Sequence, residues 1–383
     1  MAARRGSESA IVSRVGRDTR AARRVHFPSL RALLTGLLAL LAGMLLRSPA
    51  LARQAETVTG PASEPVFGAH GRVEGHLALE YSPAGAFSPD SDRLAVIAGD
   101  RIALLELRNG TIGKVLSPRF TGVMDLEFET ADFLSPTSVL LLGRGGIQPK
   151  GQTFARRTPL LAFQWDVNQD NLLGKVNAVG LGGGFSPILY LPQLHSVGMY
   201  KDSKITLWNP GNGQGGELSL PELAHKPGVF TFSPDGHWLL LARVEGNASA
   251  DPMIVDVKAK KFVDVLAGHH ASVLGMSFSL DGRRVVTACE DSQVRVWSVP
   301  DWKLLQTLSG HVGPVHWAEF SPDGKLVVSV GEDKTMRIWS AETGRLLQTL
   351  EESRTPLLTV AFSPDGRYVA ATSERMVLVW EER

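Results

Sequence analysis

The chain has 383 residues, with 40 basic and 39 acidic side chains and a single cysteine, Cys289. One cysteine excludes an intrachain disulfide, and a free thiol within a strand is usually buried and inert. Residues 1–52 hold nine arginines and two acids, so the rest of the chain has 31 basic and 37 acidic residues and a net charge of about −6. An acidic body argues against a nucleic-acid partner, because such binding depends on basic patches.

Residues 1–52 differ in composition from everything that follows. An arginine-rich lead precedes the 15-residue apolar run Ala32–Leu46, and Ala50-Leu51-Ala52 comes soon after. A basic lead, a short apolar run and an Ala-x-Ala end are typical of a secretory signal peptide, here cleaved after Ala52. As a helix the run would span about 22 Å, less than the ~30 Å hydrocarbon core of a bilayer. We therefore expect an exported protein, periplasmic or secreted; the alternative is a membrane anchor formed by the retained segment.

Residues 53–65 are predicted to be a linker, since Thr, Gly, Pro and Ser are frequent there. Residues 66–383 form the body, which consists of short apolar runs separated by turn residues. The clearest unit has four such runs: Val315–Phe320, Leu326–Val330, Met336–Trp339 and Leu346–Leu350. This pattern predicts a meander of four β-strands and not a helical domain.

A Phe-Ser-Pro-Asp-Gly motif, with Leu in place of Pro in one copy, marks the repeating unit. Phe278, Phe320 and Phe362 begin copies 42 residues apart, and Phe232 begins another. Repeats of about 40–45 residues with four strands each are typical of propeller blades, which must pack face to face in a ring. With Phe87 marking the first unit, the body has room for seven. The predicted fold class is all-β, a seven-bladed β-propeller.

The fifth and sixth units resemble the WD-repeat family. Each has Gly-His, then Val, Phe-Ser, a hydroxyl residue, Asp and Trp in that order. In this family the His, Ser/Thr, Asp and Trp form a buried, hydrogen-bonded tetrad that ties the strands of a blade together. The resemblance implies two structural tetrads, namely His269, Thr287, Asp291 and Trp297, and His311, Ser329, Asp333 and Trp339. In the seventh unit Ser353 replaces His and Glu374 replaces Asp, so no tetrad is expected there.

The last unit stops at Arg383, just after its third strand. In the WD-repeat family an N-terminal strand supplies the missing outer strand and closes the ring. The range Arg72–Tyr81 alternates acceptably and supplies the candidates. The resemblance therefore implies a ring closed by an N-terminal strand that follows the signal segment.

No sequence motif indicates catalysis or metal binding. His269 and His270 are adjacent, but the repeat position of His269 makes it a tetrad residue. Asp291 and Asp333 each lie six residues before a Trp, which favours a structural role. A His-x-x-x-His helix, paired cysteines, a calcium loop and a nucleophile elbow are all missing from the sequence. We expect no catalytic residue, no metal and no cofactor, and a protein that is not an enzyme.

The resemblance implies a non-catalytic scaffold that binds a protein or peptide on one face of the ring. The candidate partner-binding residues come from loops of the last three blades: Leu274, Glu290, His316, Trp317, Glu332, Leu358 and Glu374. An exposed Trp317 ringed by carboxylates would suit an apolar peptide that carries Lys or Arg. The alternative is that Trp317 packs between blades.

Two further possibilities stay open. The insertion Gly143–Pro159 has four basic residues, and long loops on rigid scaffolds often bind a partner. The protein could also be an exported propeller enzyme or small-ligand sensor that uses the central channel. A membrane contact is expected only if the N-terminal segment is retained.

Overall fold

The structure is a computed structural model of the chain. All described residues belong to the second of two compact units, Ser63–Arg383. They are residues 67–74, 86–98, 101–118, 123–147, 156–157, 160–179, 188–191, 194, 196–201, 204–210, 213–219, 227–243, 251–351, 353–373 and 376–382. The predicted signal peptide and linker lie outside these residues, and so does Glu374. Within the described part of the chain, no helix is long and apolar enough to cross a membrane.

Seven antiparallel sheets form the described structure, and we number them as blades 1 to 7. The first strand, β1 (Phe67–Glu74), belongs to the last blade. Blade 1 has β2 (Arg93–Ala98), β3 (Arg101–Glu106) and β4 (Thr111–Leu116). Blade 2 has β5 (Val123–Ser135), β6 (Ser138–Ile147), β7 (Arg156–Arg157), β8 (Leu160–Asp166) and β9 (Asn171–Val179). Blade 3 has β10 (Ile188–Leu191), β11 (Ser196–Lys201), β12 (Lys204–Trp208) and β13 (Gly215–Ser219).

The remaining blades follow the same order. Blade 4 has β14 (Val229–Phe232), β15 (Trp238–Ala242), β16 (Met253–Asp256) and β17 (Lys261–Val265). Blade 5 has β18 (Val273–Phe278), β19 (Arg284–Cys289), β20 (Gln293–Ser298) and β21 (Leu304–Ser309). Blade 6 has β22 (Val315–Phe320), β23 (Leu326–Gly331), β24 (Met336–Ser340) and β25 (Leu346–Leu350). Blade 7 has β26 (Thr359–Phe362), β27 (Tyr368–Thr372) and β28 (Met376–Glu382), with β1 as its fourth strand.

The position of a strand in its blade determines its composition. The first strands of successive blades contact one another, as β18, β22 and β26 do, so they are the innermost strands. Second strands such as β19 are buried on both faces, whereas outer strands such as β21 are mostly exposed. A strand that is packed on both faces needs a continuous run of apolar residues, whereas an outermost strand does not.

Apolar clusters between neighbouring blades close the ring. One cluster joins Leu94 and Leu105 of blade 1 to Tyr368 and Val379 of blade 7. Further clusters join blade 1 to 2, 2 to 3, 3 to 4 and 5 to 6, and a large one extends from blade 4 to blade 7. The predicted seven-bladed β-propeller is confirmed.

The N-terminal strand closes the ring by pairing with β28. Phe67 lies opposite Glu382 and Glu74 opposite Met376, with a β-bulge between Ala69 and Gly71. Closure by an N-terminal strand is therefore confirmed, but β1 begins five residues before the predicted Arg72 and ends at Glu74. The rest of the predicted strand lies outside the described residues. The sequence of β1, FGAHGRVE, contains two glycines and alternates poorly, so periodicity could not locate its start.

The recurring Phe-Ser-x-Asp motif builds the same turn in five blades. In blade 6 the Ser321 hydroxyl donates to Asp323 Oδ1 at 2.6 Å, and the backbone N–H of Leu326 donates to Ser321 Oγ at 2.9 Å. The corresponding serines are Ser88, Ser233, Ser279 and Ser363. Gly324 follows with a φ of +70°, which explains the glycine of the motif. In blades 4 to 7 the turn joins the innermost strand to the second strand, and in blade 1 it comes directly before β2.

Candidate functional site

Blade 6 contains a complete hydrogen-bonded chain of four side chains. Trp339 Nε1 donates to Ser329 Oγ at 2.8 Å, and Ser329 Oγ lies 2.8 Å from His311 Nε2. His311 Nδ1 lies 2.9 Å from Asp333 Oδ2. Ser329 is fully buried and Trp339 nearly so. The structure thus brings together all four predicted residues of this tetrad and links the loop before β22 to β23 and β24.

Blade 5 differs from the prediction in one member of its tetrad. His269 Nε2 lies 2.9 Å from Thr287 Oγ1, and Trp297 Nε1 donates to the same hydroxyl at 3.2 Å. The carboxylate beside His269 Nδ1 belongs to Asp251, which precedes β16, at 3.1 Å. The predicted Asp291 instead makes a two-point contact with Arg295, at 2.8 and 3.1 Å.

Asp291 pairs with a buried guanidinium and not with the tetrad histidine. Arg295 is buried on β20 and its side chain is only 6% exposed, so it needs a carboxylate partner. Burial alone would raise the pKa of Asp291, but its hydrogen bonds with Arg295 and with the backbone N–H of His270 outweigh burial and lower the pKa to about 2. Asp291 is therefore an ionised partner of Arg295.

The two tetrad histidines are buried. Burial lowers the pKa of both His269 and His311, although Asp251 and Asp333 partly oppose this effect. At neutral pH each ring is therefore uncharged, so one nitrogen donates and the other accepts. One placement of the protons satisfies every hydrogen-bonding group. In it, His311 Nδ1–H donates to Asp333 and the Ser329 hydroxyl donates to His311 Nε2.

Ser329, His311 and Asp333 are hydrogen-bonded in the sequence serine, histidine, aspartate, as in the catalytic triad of a serine hydrolase. Catalysis by such a triad requires a serine that the substrate can reach. Here Ser329 has no exposed surface, and Trp339 donates to its oxygen. The hydrogen bonds of this group therefore stabilise the blade, and the geometry offers no place for an acyl substrate.

The cysteine and two hydroxyls of blade 7 are also enclosed. Cys289 is fully buried, and burial raises the pKa of its thiol to about 11. Among the described residues, no three His, Cys, Asp or Glu side chains are grouped so that they could hold a metal ion. In blade 7 the hydroxyls of Thr359 and Thr372, 2.7 Å apart, lie buried between β26 and β27.

The loops that enter the innermost strands of blades 5 to 7 form one continuous surface. The backbone N–H of Gly313 donates to Ser292 Oγ of blade 5 at 3.1 Å. A methyl group at Gly313 would lie 3.6 Å from Glu332 Cβ, and the backbone N–H of Leu357 in blade 7 donates to Gly331 O at 3.2 Å. We call this surface the loop face; it comprises Leu274, Glu290, Val312, His316, Glu332 and Leu358.

The side chains of the loop face are accessible. Leu358 is 37% exposed, Glu290 and Glu332 are exposed, and Leu274 and His316 are half-buried. His316 Nε2 lies 3.1 Å from Glu332 Oε2. The structure therefore gathers five of the seven predicted partner-binding residues, and Glu374 lies outside the described residues.

Trp317 was wrongly predicted to be an exposed anchor. Its side chain is 3% exposed and belongs to the large apolar cluster. Gly275 in β18 explains this position, since a methyl group there would lie 2.8 Å from Trp317 Cε3. The glycine lets the indole lie directly against the neighbouring strand, so the alternative of packing between blades is correct.

Sequence reasoning missed Val312, which is 77% exposed beside the tetrad residue His311. Its backbone N–H donates to Asp333 Oδ2 at 3.1 Å, so the side chain is held outward. The sequence does contain a sign of this exposure. Val312 lies between Gly310-His311 and Gly313-Pro314, and an apolar residue inside a short turn does not belong to a strand that packs in the core.

Of the Gly143–Pro159 insertion, the structure describes the end of β6 and the short strand β7, which pairs with β6.

Comparison with known proteins agrees with this architecture. The family model "WD domain, G-beta repeat" matches residues 260–298, 302–340 and 344–381. The human WD repeat-containing protein 36 is 31% identical over 78 residues, which cover 20% of this chain and 8% of that protein. The matched stretch thus represents a small part of the relative. The structure is a seven-bladed β-propeller, and three of its repeats, within residues 260–381, match the model of the WD-repeat family.

Each matched repeat is offset from a blade by one strand. Residues 302–340 contain β21, the outer strand of blade 5, and the first three strands of blade 6. The last repeat, residues 344–381, ends within β28 and leaves the outer position of blade 7 to β1. Propellers of this family are generally non-catalytic scaffolds that bind protein partners.

Proposed function

We propose that this protein is an exported, non-catalytic scaffold that binds a protein or peptide partner on its loop face. The observation that carries the proposal is the loop face itself, where loops of three successive blades present apolar and charged side chains on a rigid frame. The tetrads support that frame, since His311 and Asp333 fix the loop that displays Val312.

The chemistry of the loop face favours a short apolar segment with a basic residue. Val312 and Leu358 offer exposed apolar surface, and both lie in loops that hydrogen-bond to the neighbours of Glu332, Asp333 and Gly331. The carboxylates of Glu290 and Glu332 would attract a lysine or arginine, while the apolar contacts would supply most of the affinity. Because Trp317 is buried, the anchor is aliphatic and not aromatic.

Selection from a displayed library of random peptides, with the full-length protein as the target, tests this proposal. The expected result is enrichment of peptides with one or two aliphatic residues next to Lys or Arg, which compete with one another for a single site. Enrichment of acidic peptides, or of sequences without a common pattern, would contradict it.

Export is the second part of the proposal, and it rests on residues 1–52. We expect cells to process the chain after Ala52, so that the mature protein begins at Arg53. Fractionation followed by N-terminal sequencing of the exported protein checks this expectation. A protein that keeps Met1 and sediments with membranes would instead favour the anchored alternative.

A sensor that uses the central channel is the second candidate function, and one observation favours it. Glu319 is half-buried on the innermost strand β22, and its Oε1 lies 3.5 Å from the backbone nitrogen of Phe362 on β26. Burial raises the pKa of Glu319 to about 8. Glu319 therefore keeps its proton at neutral pH, so the ligand it favours is one that accepts a hydrogen bond. If small neutral ligands bind the wild type but not Glu319→Leu, with peptide binding unchanged, this second candidate is correct.

A further inference from the structure

The innermost strand of blade 2 buries a carboxyl group against blade 3. Along β5, Phe133 packs in the apolar cluster shared with blade 1, and Leu134 packs against the cluster shared with blade 3. Asp132 lies opposite Leu140 in the strand ladder, and Leu140 belongs to the blade 3 cluster. Since alternate residues of a strand point to opposite faces, Asp132 faces blade 3.

Among the described residues, no charged group compensates Asp132. Its side chain is completely buried, and neither carboxyl oxygen has a hydrogen-bond partner of good geometry in this part of the chain; the nearby Thr130 hydroxyl, also buried, only partly offsets the effect of burial. The apolar side chains of this contact are Leu140, Leu142, Ala162, Val197, Met199 and Trp208. A buried carboxylate without a partner is costly, so the neutral acid is strongly favoured.

The polar groups on the same faces of the neighbouring strands are engaged elsewhere. Gln164 of β8 donates across the blades to Pro210 O at 3.0 Å. Asp166, at the end of β8, accepts from the backbone nitrogens of Asn168 and Gln169. Lys204 of β12 pairs with Glu217 of β13 at 2.9 Å, and both side chains are about half exposed. None of these described groups bonds to Asp132.

We propose that the contact between blades 2 and 3 is a pH-responsive seam, which is tight while Asp132 is protonated and loosens when Asp132 ionises. An ionised Asp132 would draw water into an apolar contact that holds two neighbouring sheets together. Hence this seam, unlike the contact between blades 5 and 6, opens reversibly as the pH rises.

The direction of the effect follows from linkage. Burial raises the pKa of Asp132 from 3.8 to about 7. Between these values the unfolded chain has released the proton and the folded protein still holds it, so the stability falls as the pH rises. The loss is complete above about pH 7, where the folded protein also contains the carboxylate.

Denaturant unfolding of the wild type and Asp132→Asn at pH 5, 6, 7 and 8 tests the seam. The neutral amide does not titrate, so the ratio of the two folding constants should change in favour of Asp132→Asn, by up to about tenfold for each pH unit between 5 and 7. Above about pH 7 this ratio should stop changing. Glu319 is present in both proteins, so its own titration cancels in the comparison. A ratio that does not vary with pH would overturn the proposal.

Hydrogen exchange of the wild type gives a second readout that needs no variant. Amides of β11 should lose protection between pH 6 and pH 8.5, after correction for the intrinsic exchange rate. The amides of β19 in blade 5 should keep their protection over the same pH range. Equal behaviour of the two strands would also overturn the proposal.

Discussion

The side-chain amide of Gln348 holds the backbone of Phe67, which comes 281 positions earlier in the chain. Gln348 Oε1 accepts from the Phe67 N–H at 2.9 Å, and Gln348 Nε2 donates to the Phe67 carbonyl at 2.8 Å. Phe67 is buried, and its ring meets Phe362 edge-on with centroids 6.1 Å apart. Blade 6 thus fixes the start of the strand that completes blade 7.

This contact predicts that Gln348→Ala destabilises the ring by about 1–3 kcal/mol, since two partly buried hydrogen bonds are lost. Gln306 is a matched control, because it occupies the same place in the LLQTL strand of blade 5 and makes one exposed bond, to Glu342 O at 2.8 Å. Denaturant unfolding should show a smaller loss for Gln306→Ala. Equal losses would mean that the Gln348 clamp does not stabilise closure.

Removing the central hydroxyl of the blade 6 tetrad should destabilise the protein without any loss of chemistry. Ser329→Ala leaves Trp339 Nε1 and His311 Nε2 buried without this partner, at roughly 1–3 kcal/mol for each group. Unfolding experiments measure the loss. Stoichiometric zinc or copper in the wild type that disappears in the variant would contradict a structural role.

The buried histidines predict acid sensitivity. Burial lowers the folded-state pKa of His311 below its ordinary 6.5, so the unfolded chain binds a proton first as the pH falls. The stability that the neutral ring contributes is complete above pH 6.5 and is lost as the pH falls through the folded-state pKa. The difference in stability between wild type and His311→Gln should therefore shrink from pH 7.5 to pH 5. A constant difference would show that His311 does not titrate in this way.

Gly324 should tolerate alanine less well than Gly213, although both have a φ near +70°. A methyl group at Gly324 would lie 2.6 Å from Arg284 Nη2, whereas Gly213 has open space. Arg284 donates to Gly324 O at 2.6 Å and lies over the Phe320 ring, so its displacement adds to the backbone strain. Gly324→Ala should cost about 1 kcal/mol more than Gly213→Ala, as measured by unfolding. Equal costs for the two variants would mean that backbone strain accounts for the whole effect and that the displacement of Arg284 adds nothing.

Features that repeat along the chain could be predicted, and features that depend on a distant partner could not. The 42-residue period predicted the blades and the turns, and the resemblance to the WD-repeat family implied the members of the blade 6 tetrad. The replacement of Asp291 by Asp251 depends on the contact of 3.1 Å between Asp251 and His269 Nδ1, which no spacing reveals. Trp317 is buried because Gly275, in the preceding blade, leaves room for its ring. In each case the deciding contact lies between repeats, where the motif pattern has no information.

The most direct measurement of the proposed function is the affinity of a library-selected peptide for three proteins. These are the wild type, a loop-face variant with Val312→Asp and Leu358→Asp, and a control with Leu280→Asp. Leu280 is 53% exposed in the turn at the other end of β18. The control therefore makes the same kind of substitution at an exposed leucine outside the loop face. Fluorescence polarisation should show at least tenfold weaker binding to the loop-face variant, with circular dichroism unchanged, and wild-type affinity for the control. Unchanged binding by the folded loop-face variant, or equal losses in both variants, would contradict the proposal.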